Sequence, residues 1–291
     1  MTAMLEFKDV VAIDTHVHVE TGPDGSDHLS PELRSAVARY FRGDPDLPTI
    51  DDIARHYRER RMMAVVFTVD SALTTGQPRV SNEHVIEGAR RHPDVLVPFA
   101  SIDPRRGEEG VAEARELIAE GSVRGFKFHP NLQQFDPNDS LAYPLYKLIE
   151  ESGLIALFHT GHSGIGAGLP GGGGIRLRYG NPMAIDDVAV DFPTLPIVMA
   201  HPSFPWQDEA ISVALHKPQV RIDLSGWAPH RFPPQLVSYI GGPLRDQALF
   251  GSDYPLIAPD RWLGEFADLG LDEDVQQSIT KGNAATLLGL G

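Results

Sequence analysis

The chain has 291 residues, of which 42% are hydrophobic and 22% charged, and it contains no cysteine. This is the composition of a globular protein, and the lack of cysteine excludes disulfides, thiolate nucleophiles and zinc sites of the cysteine type. The formal net charge of -15 argues against nucleic acid or an anionic membrane as a partner, because an acidic surface would be repelled by both.

The N-terminal segment "MTAMLEFKDVVAIDTH" lacks the basic region and long apolar stretch of a secretory signal. No apolar run reaches the roughly 18 residues that a membrane-spanning helix needs. We therefore expect a cytoplasmic protein that acts on a small molecule. The net charge does not exclude an anionic ligand, because a single pocket can be locally basic.

Eight apolar runs rich in Val, Ile and Phe predict strands along the chain. Because these runs are apolar on both faces and alternate with helical patterns, they predict a parallel sheet closed into a TIM (β/α)8 barrel. An open doubly wound sheet is the alternative, although it normally has fewer strands. The runs are 10–19, 62–70, 95–103, 123–130, 154–160, 195–202, 220–226 and 248–255.

Helical spacing with good helix formers lies between the strands, for instance at 107–121, 139–153 and 206–217. Asp139 or Ser140 is expected to cap the second of these helices, and Gly153 is expected to end it.

Two intervals are longer than a plain connection and predict loop insertions, at about 20–49 after the first strand and 161–181 after the fifth. Because the alternation resumes after each, we interpret residues 1–291 as one distorted barrel domain. The stretch "HTGHSGIGAGLPGGGG" at 159–174 has neither a Gly-Lys-Ser/Thr ending nor a dinucleotide-binding pattern. It predicts a glycine-rich mobile loop over the carboxyl face of the barrel, where active sites lie.

Histidine and aspartate side chains stand at the ends of several predicted strands. In "DTHVH", His16 and His18 are two residues apart and therefore project to one side of a strand. His159 ends the fifth run, His201 the sixth and Asp253 the eighth. Closure of the barrel would place Asp253 opposite the first two histidines, and such clusters at the carboxyl face are typical of metal sites.

Four motifs, "DTHVH", "LFHTGH", "VMAHPS" and "FGSDYP", together resemble the amidohydrolase superfamily over nearly the entire chain. Within it they resemble the amidohydrolase-related branch of aminocarboxymuconate semialdehyde and resorcylate decarboxylases. Some decarboxylases of that branch have glutamate in place of the first histidine, whereas this chain keeps both. The resemblance implies a homodimer or higher homo-oligomer and one divalent metal ion, zinc first and manganese as the alternative. The implied ligands are His16, His18, His159 and Asp253, with His201 as a catalytic partner.

A zinc ion with these ligands would lower the pKa of bound water from roughly 15.7 toward about 7 and polarise a carbonyl group. We expect Asp253 to accept the proton of that water while also serving as a ligand. His201 is expected to hydrogen-bond the carbonyl group or transfer a proton.

Further polar residues near strand ends are candidates for substrate contacts. Lys127 and His129 share the inward face of the fourth strand, and we expect Lys127 to form a salt bridge or contact a substrate anion, since a buried lysine needs a partner. A carbamylated Lys127 bridging two metals is the alternative. Asp223 is expected either to orient a ligand histidine or to cap a loop. The other candidates, each equally plausible as a plain loop residue, are His162, Arg176, Arg178, Trp227 and His230.

Three segments, 159–182, 224–234 and 251–262, resemble more narrowly proteins of the para-hydroxyphenyl β-ketoacyl-CoA hydrolase type. This resemblance implies hydrolytic carbon–carbon cleavage of an aryl β-ketoacyl-CoA, and Arg176 and Arg178 would suit the CoA phosphates. Non-oxidative decarboxylation of an aromatic or unsaturated acid and lactone hydrolysis are alternatives, because the metal ligands do not discriminate among these reactions. A non-catalytic ligand-binding barrel without metal is the alternative from another class.

Overall fold

The computed structural model describes residues 4–42 and 47–290, which contain a single parallel sheet. Its eight strands pair in sequence order, and each lies inside one of the apolar runs that predict strands. Their bounds are Ala12–His18 (β1), Met62–Phe67 (β2), Leu96–Ser101 (β3), Gly125–Phe128 (β4), Ile155–His159 (β5), Ile197–Ala200 (β6), Val220–Asp223 (β7) and Ala248–Leu249 (β8).

The sheet closes because the segment after β8 pairs with β1. Val17 forms a parallel bridge with Tyr254. The backbone N–H of Thr15 donates to the Phe250 carbonyl at 2.9 Å, and that of His18 donates to the Tyr254 carbonyl at 2.8 Å. The predicted TIM barrel is therefore confirmed, and the open doubly wound sheet is wrong.

The eighth strand is much shorter than the run 248–255 predicts, since only Ala248–Leu249 are regular strand. Asp253 adopts φ +70°, which an extended strand does not allow. The chain thus leaves the sheet geometry to bring this side chain over the mouth of the barrel.

Helices fill the intervals between the strands, and most of them pack on the outside of the barrel. Within the described residues they are Pro31–Phe41 (α1), Ile50–Glu59 (α2), Ala72–Thr75 (α3), Asn82–Arg91 (α4), Glu108–Ala119 (α5), Pro130–Gln133 (α6), Tyr143–Glu151 (α7), Met183–Asp191 (α8), Gln207–His216 (α9), Pro234–Ile240 (α10), Pro259–Ala267 (α11), Glu273–Gln277 (α12) and Asn283–Leu288 (α13). None of the helices in this part of the chain is long and apolar enough to cross a membrane.

Helix α7 begins later than the sequence predicts. Its N-cap is Ala142, which offers no side-chain cap, while Asp139 accepts instead from the backbone N–H of Leu141 within a turn. Pro144 lies in the first helical turn, where its missing N–H costs nothing, so the helix does not need the predicted cap. Gly153 follows the helix with φ +64°, the left-handed conformation expected of a stop signal.

Strand side chains alternate between two apolar clusters. One cluster joins the sheet to the surrounding helices and contains Phe126 and Phe128 of β4. The other, which includes Ile13, Val65 and Val198, fills the barrel interior. Lys127 lies between the two phenylalanines and therefore points inward with 0% exposure.

The two predicted insertions pack against each other over the carboxyl face. A third apolar cluster combines Leu29, Leu33 and Val37 from the first insertion with Ile165 and Leu169 from the second. The first insertion contains α1, and its residues 43–46 lie outside the described residues, as do residues 1–3 and 291 of the predicted domain. The predicted mobility of the second insertion stays a prediction.

The glycine run of the second insertion forms a left-handed turn. Gly171, Gly172 and Gly173 have φ values of 59°, 64° and 61°. A left-handed turn costs other L-residues roughly 1–2 kcal/mol each, so glycine is the residue that this geometry favours.

We predict that Gly125→Ala in β4 lowers the free energy of unfolding by about 1–3 kcal/mol, measured by urea denaturation. The added Cβ would lie 2.4 Å from the Phe99 ring and 2.6 Å from the carbonyl oxygen of Ile155. Both groups belong to the neighbouring strands of the sheet, which leave no space for a methyl group. Gly264→Ala is the control, because a Cβ there meets nothing within 4 Å on α11 and should stabilise by about 0.5–1 kcal/mol. Equal unfolding free energies for the two variants would contradict this packing.

Candidate metal centre

Three ligand-type side chains converge where the barrel closes. His16, His18 and Asp253 each offer an atom within 4.8 Å of the other two. Asp253 Oδ1 lies 3.1 Å from His18 Nε2 and 3.5 Å from His16 Nε2. The backbone N–H of Asp253 donates to the His16 carbonyl at 3.0 Å, so main-chain pairing sets this position. Two imidazoles and a carboxylate thus meet at the carboxyl face.

The ring of His16 is held from inside the barrel by Asp223 at the end of β7. Asp223 Oδ2 lies 2.9 Å from His16 Nδ1, and the carboxylate also accepts from the Thr15 hydroxyl and the Ser225 backbone N–H. Burial raises the pKa of Asp223, although the Ser225 hydrogen bonds oppose this. Of the two roles expected for Asp223, the structure places it where it orients a histidine, with Nε2 of His16 facing the cluster.

His159 and His201, which follow each other at the ends of β5 and β6, form a second pair at the same mouth. The Ser225 carbonyl oxygen, which can only accept, lies 3.1 Å from His201 Nδ1, and the Ser225 hydroxyl lies 3.0 Å from it. The carbonyl contact favours the tautomer with the proton on that nitrogen. His201 Nε2 then accepts from His159 Nδ1 at 3.0 Å. This chain of hydrogen bonds leaves His159 Nε2 unprotonated.

His159 Nε2 is a buried atom without a hydrogen-bond partner among the described residues. His159 is not part of the 4.8 Å group, but it lines the same cavity as His18 and Asp253. A buried nitrogen lone pair without a partner costs free energy, and a metal ion would satisfy it. The four side chains therefore fit a divalent cation.

Burial and hydrogen bonding set the protonation states of the cluster. Burial opposes the charge of Asp253, but the hydrogen bond from His18 and nearby positive charges outweigh it and lower the pKa. Burial lowers the pKa of His201 to about 4 and those of His16 and His159 well below their ordinary value. Neutral imidazoles and an ionised carboxylate are the forms that bind metal.

His18 differs from the other histidines of the cluster. Burial lowers its pKa, but hydrogen bonds to Asp253 and Glu20 outweigh this and raise it above the ordinary value. Binding of a cation to His18 therefore competes with a proton.

Lys127 lies in the barrel interior, where its Nζ is 3.1 Å from His16 Nε2 and 4.9 Å from the centroid of the Phe67 ring. Burial lowers the pKa of Lys127. Among the described residues it forms no salt bridge, and it does not line the cavity, so both expected roles are corrected. The ammonium group instead contacts Nε2 of His16, the nitrogen that faces the cluster.

A cavity of about 460 Å³ opens above the cluster, between the two insertions. Aromatic rings follow one another along one side, with centroid separations of 5.8 Å from Tyr40 to His162, 6.4 Å from His162 to Phe204 and 5.2 Å from Phe204 to Trp227. His162, Trp227 and His129 line the cavity. His129 also stacks on His159 at 3.9 Å between ring centroids. The structure therefore brings these three candidates to the site.

Arg176, Arg178 and His230 do not line the cavity. Arg178 is exposed and pairs with Asp136 at 3.1 Å. The side chain of Asn131 donates to the backbone carbonyl of Arg176 at 3.1 Å and anchors this part of the insertion on α6. The expected contact of the two arginines with substrate phosphates is therefore corrected by how the insertion is docked.

Sequence reasoning missed two groups of polar residues at the cavity. Glu20, His28 and Arg34 form a buried network beside His18. Only Glu20 carries a sequence signal, since it continues the two-residue spacing of His16 and His18. The other group comprises exposed arginines that line the cavity, namely Arg42, Arg231 and Arg261.

A family model described as Amidohydrolase matches residues 13–290. No curated protein matches the chain significantly. Among solved structures, an uncharacterised TIM-barrel protein from Bordetella bronchiseptica is similar at 24% identity and TM-score 0.78, over 96% of this chain and 98% of that one.

Two further structures share the fold at lower identity. A probable 2-pyrone-4,6-dicarboxylic acid hydrolase from Acinetobacter baumannii, with citric acid bound, is 18% identical with TM-score 0.63, over 97% of this chain and 100% of that one. A dihydroxybenzoic acid decarboxylase from a Polaromonas species, with manganese and 2-nitroresorcinol bound, is 15% identical with TM-score 0.68, over 96% and 97%.

We predict that His159→Ala loses its metal ion whereas His201→Ala keeps the ion and loses turnover. The first change removes the unpartnered Nε2, and the second removes a group that lines the cavity. Elemental analysis of protein purified without chelator measures the metal content, with His162→Ala as the control. A full equivalent of metal in His159→Ala would contradict the assignment.

Lys127→Met is expected to keep about one equivalent of divalent metal per chain. The ammonium group contacts His16 through one hydrogen bond only, so a single-metal site does not need it. A fall from two equivalents to one or none, measured against the unmodified chain, would instead show that a carbamylated lysine bridges two ions.

Proposed function

Because the chain belongs to the amidohydrolase family, we propose that it is a metal-dependent hydrolase that adds water to a carbonyl group of an aromatic or unsaturated acid derivative. The observation that carries the proposal is the 4.8 Å group of His16, His18 and Asp253 beneath the cavity, beside the unpartnered Nε2 of His159. The chain is an enzyme of this superfamily, and what remains to be tested is its reaction.

The metal ion would be held by His16, His18 and Asp253, with His159 as the fourth ligand. Zinc is the first candidate because imidazole nitrogens dominate the donor set, and manganese is the alternative. When bound, the ion would polarise the substrate carbonyl and make water more acidic.

Asp253 is the proton acceptor in this proposal. Its lowered pKa leaves the carboxylate ionised at neutral pH, so it can take the proton of the attacking water and pass it to the leaving group. His201 is neutral, and its Nδ1 proton is bound to the Ser225 carbonyl. Its Nε2 therefore also accepts a proton rather than donating one.

This pair of acceptors supports hydrolysis over decarboxylation. Hydrolysis begins with the loss of a proton from water, whereas decarboxylation ends with the delivery of a proton to carbon. Asp253 is ionised and His201 is neutral at neutral pH, so both side chains begin as proton acceptors.

The cavity supports a planar, anionic substrate. Tyr40 and Trp227 offer aromatic surface, and the exposed cavity-lining arginines (Arg42, Arg231 and Arg261) offer positive charge. Both carboxylates of the lining, Glu20 and Asp253, are engaged by histidines. Although the chain has a net charge of -15, these arginines make the cavity entrance positive, and a positive entrance attracts anionic substrates.

Two finer hydrolytic reactions fit this description. Opening of a lactone bearing carboxylates is the chemistry named for the Acinetobacter baumannii relative. Hydrolytic cleavage of an aryl β-ketoacyl-CoA rests on the narrower sequence resemblance, and Arg42 or Arg231 would have to replace Arg176 and Arg178 as phosphate contacts. Decarboxylation is the second candidate reaction, favoured by the arginines that could hold a carboxylate.

The reaction is tested by incubating the zinc- or manganese-loaded chain with three substrate classes. They are a carboxylated 2-pyrone, followed by ring opening; an aryl β-ketoacyl-CoA, followed by acetyl-CoA release; and hydroxylated benzoic acids, followed by carbon dioxide release. We expect turnover of one of the first two. Asp253→Asn should lower kcat at least about 10²- to 10⁴-fold, because it removes the proton acceptor and also alters a metal ligand.

Arg178→Gln is the control for this assay, because Arg178 lies outside the cavity and should leave kcat unchanged. Release of carbon dioxide without ring opening or acetyl-CoA would replace the hydrolase proposal with the decarboxylase. A chain that binds no metal and turns over none of the three would reject both.

A further inference from the structure

A buried polar network connects His18 to the insertion after β1. Glu20 Oε1 lies 3.2 Å from His18 Nδ1, while Glu20 Oε2 lies 3.2 Å from His28 Nε2 and 2.5 Å from Arg34 Nη2. Arg34 also forms two hydrogen bonds to Asp27, at 2.6 and 2.7 Å. The side chains of Glu20 and Arg34 are 12% and 14% exposed. One carboxylate thus divides its two oxygens between the candidate metal centre and the insertion.

This network is not a second cation site, although Glu20, Asp27 and His28 lie close enough together to suggest one. The guanidinium of Arg34 lies between the two carboxylates, within 2.7 Å of both. Its positive charge already neutralises them and would repel a metal ion. The acidic groups are therefore partners of Arg34.

The contact of Glu20 with His18 determines which nitrogen of that ring faces the cluster. A carboxylate that accepts from Nδ1 turns Nε2 toward the cluster, and Nε2 is the atom 3.1 Å from Asp253. Carboxylate partners of this kind fix the tautomer and orientation of ligand histidines. Asp223 does the same for His16, but from a buried strand rather than from an insertion.

The insertion that Glu20 holds forms part of the cavity wall. Residues 20–42, which we call the cover, include Val37 and Tyr40 of α1 among the cavity-lining residues. The cover is tied to the barrel on its other side, since the Thr75 hydroxyl donates to the His28 carbonyl at 3.1 Å. Arg34 of α1 connects the cover directly to Glu20.

We infer that Glu20 is a positioning residue that couples the cover to the metal centre, so that metal binding at His18 and ordering of the cover strengthen each other. The inference rests on the proposed metal site. If an ordered cover holds His18 in its ligand orientation, then a bound ion must stabilise the ordered cover by the same factor, because the coupling is reciprocal.

The test compares Glu20→Gln, Arg34→Gln and the control Glu113→Gln. Glu113 also bonds two arginines, Arg79 and Arg106, but on α5 outside the cavity lining. Zinc affinity is measured by competition with a chelator, and hydrogen exchange of residues 31–41 is measured with and without zinc.

We expect Glu20→Gln to weaken zinc binding about 10- to 100-fold, the usual effect of losing such a partner. Zinc should slow exchange of residues 31–41 in the unmodified chain and in Glu113→Gln, but not in Glu20→Gln. Arg34→Gln keeps the Glu20 contact with His18, so it should lose the zinc-dependent protection with a smaller loss of affinity. That variant keeps the test decisive if Glu20→Gln does not fold.

The inference is overturned if zinc affinity and zinc-dependent exchange of Glu20→Gln and Arg34→Gln match those of the unmodified chain. Turnover of a hydrolytic substrate by the unmodified chain would then leave the proposed function intact. An unmodified chain that binds neither zinc nor manganese overturns both.

Discussion

The structure depends on the seam between β1 and the segment that follows β8. At this seam the buried carboxylate of Asp14 accepts from the backbone N–H and the hydroxyl of Ser252 and from the hydroxyl of Tyr57. Burial raises the pKa of Asp14 to about 6 despite these bonds. One residue further on, Asp253 is held against the His16 carbonyl in a left-handed conformation that costs roughly 1–2 kcal/mol. The candidate metal centre thus follows from how the barrel closes.

The candidate ligands are supported by partners of two kinds. Asp223 holds His16 from a strand whose neighbours fix it on both sides, and the Ser225 carbonyl sets the tautomers of His201 and His159 in sequence. His18 instead depends on Glu20, which is bound to an insertion. The first group of histidines is therefore positioned by the barrel itself, whereas the orientation of His18 depends on a residue bound to an insertion.

The strands and the residues at their ends could be predicted from the sequence, because the two-residue periodicity of the backbone determines them. Strands buried on both faces produce continuous apolar runs, so all eight could be located, and strand ends in a barrel share one face, which grouped His16 with Asp253. Side chains on the insertions follow no such period. Arg176 was expected at the cavity, but Asn131 holds its backbone elsewhere, and Arg34 could not be connected with Glu20 before the path of the insertion was known. The cap of α7 failed because Pro144 allows the helix to begin without one.

The left-handed turn at Gly171–Gly173 contributes to the packing of the insertions but not to the candidate metal centre. Replacing any of these glycines would penalise one loop conformation, yet the turn contributes no ligand, no hydrogen bond to the histidines and no lining of the cavity. Gly173 nevertheless lies against Leu33 of α1, because a Cβ added there would come within 3.0 Å of that side chain. A side chain introduced in this turn would therefore change how the second insertion packs on α1 without removing any candidate ligand.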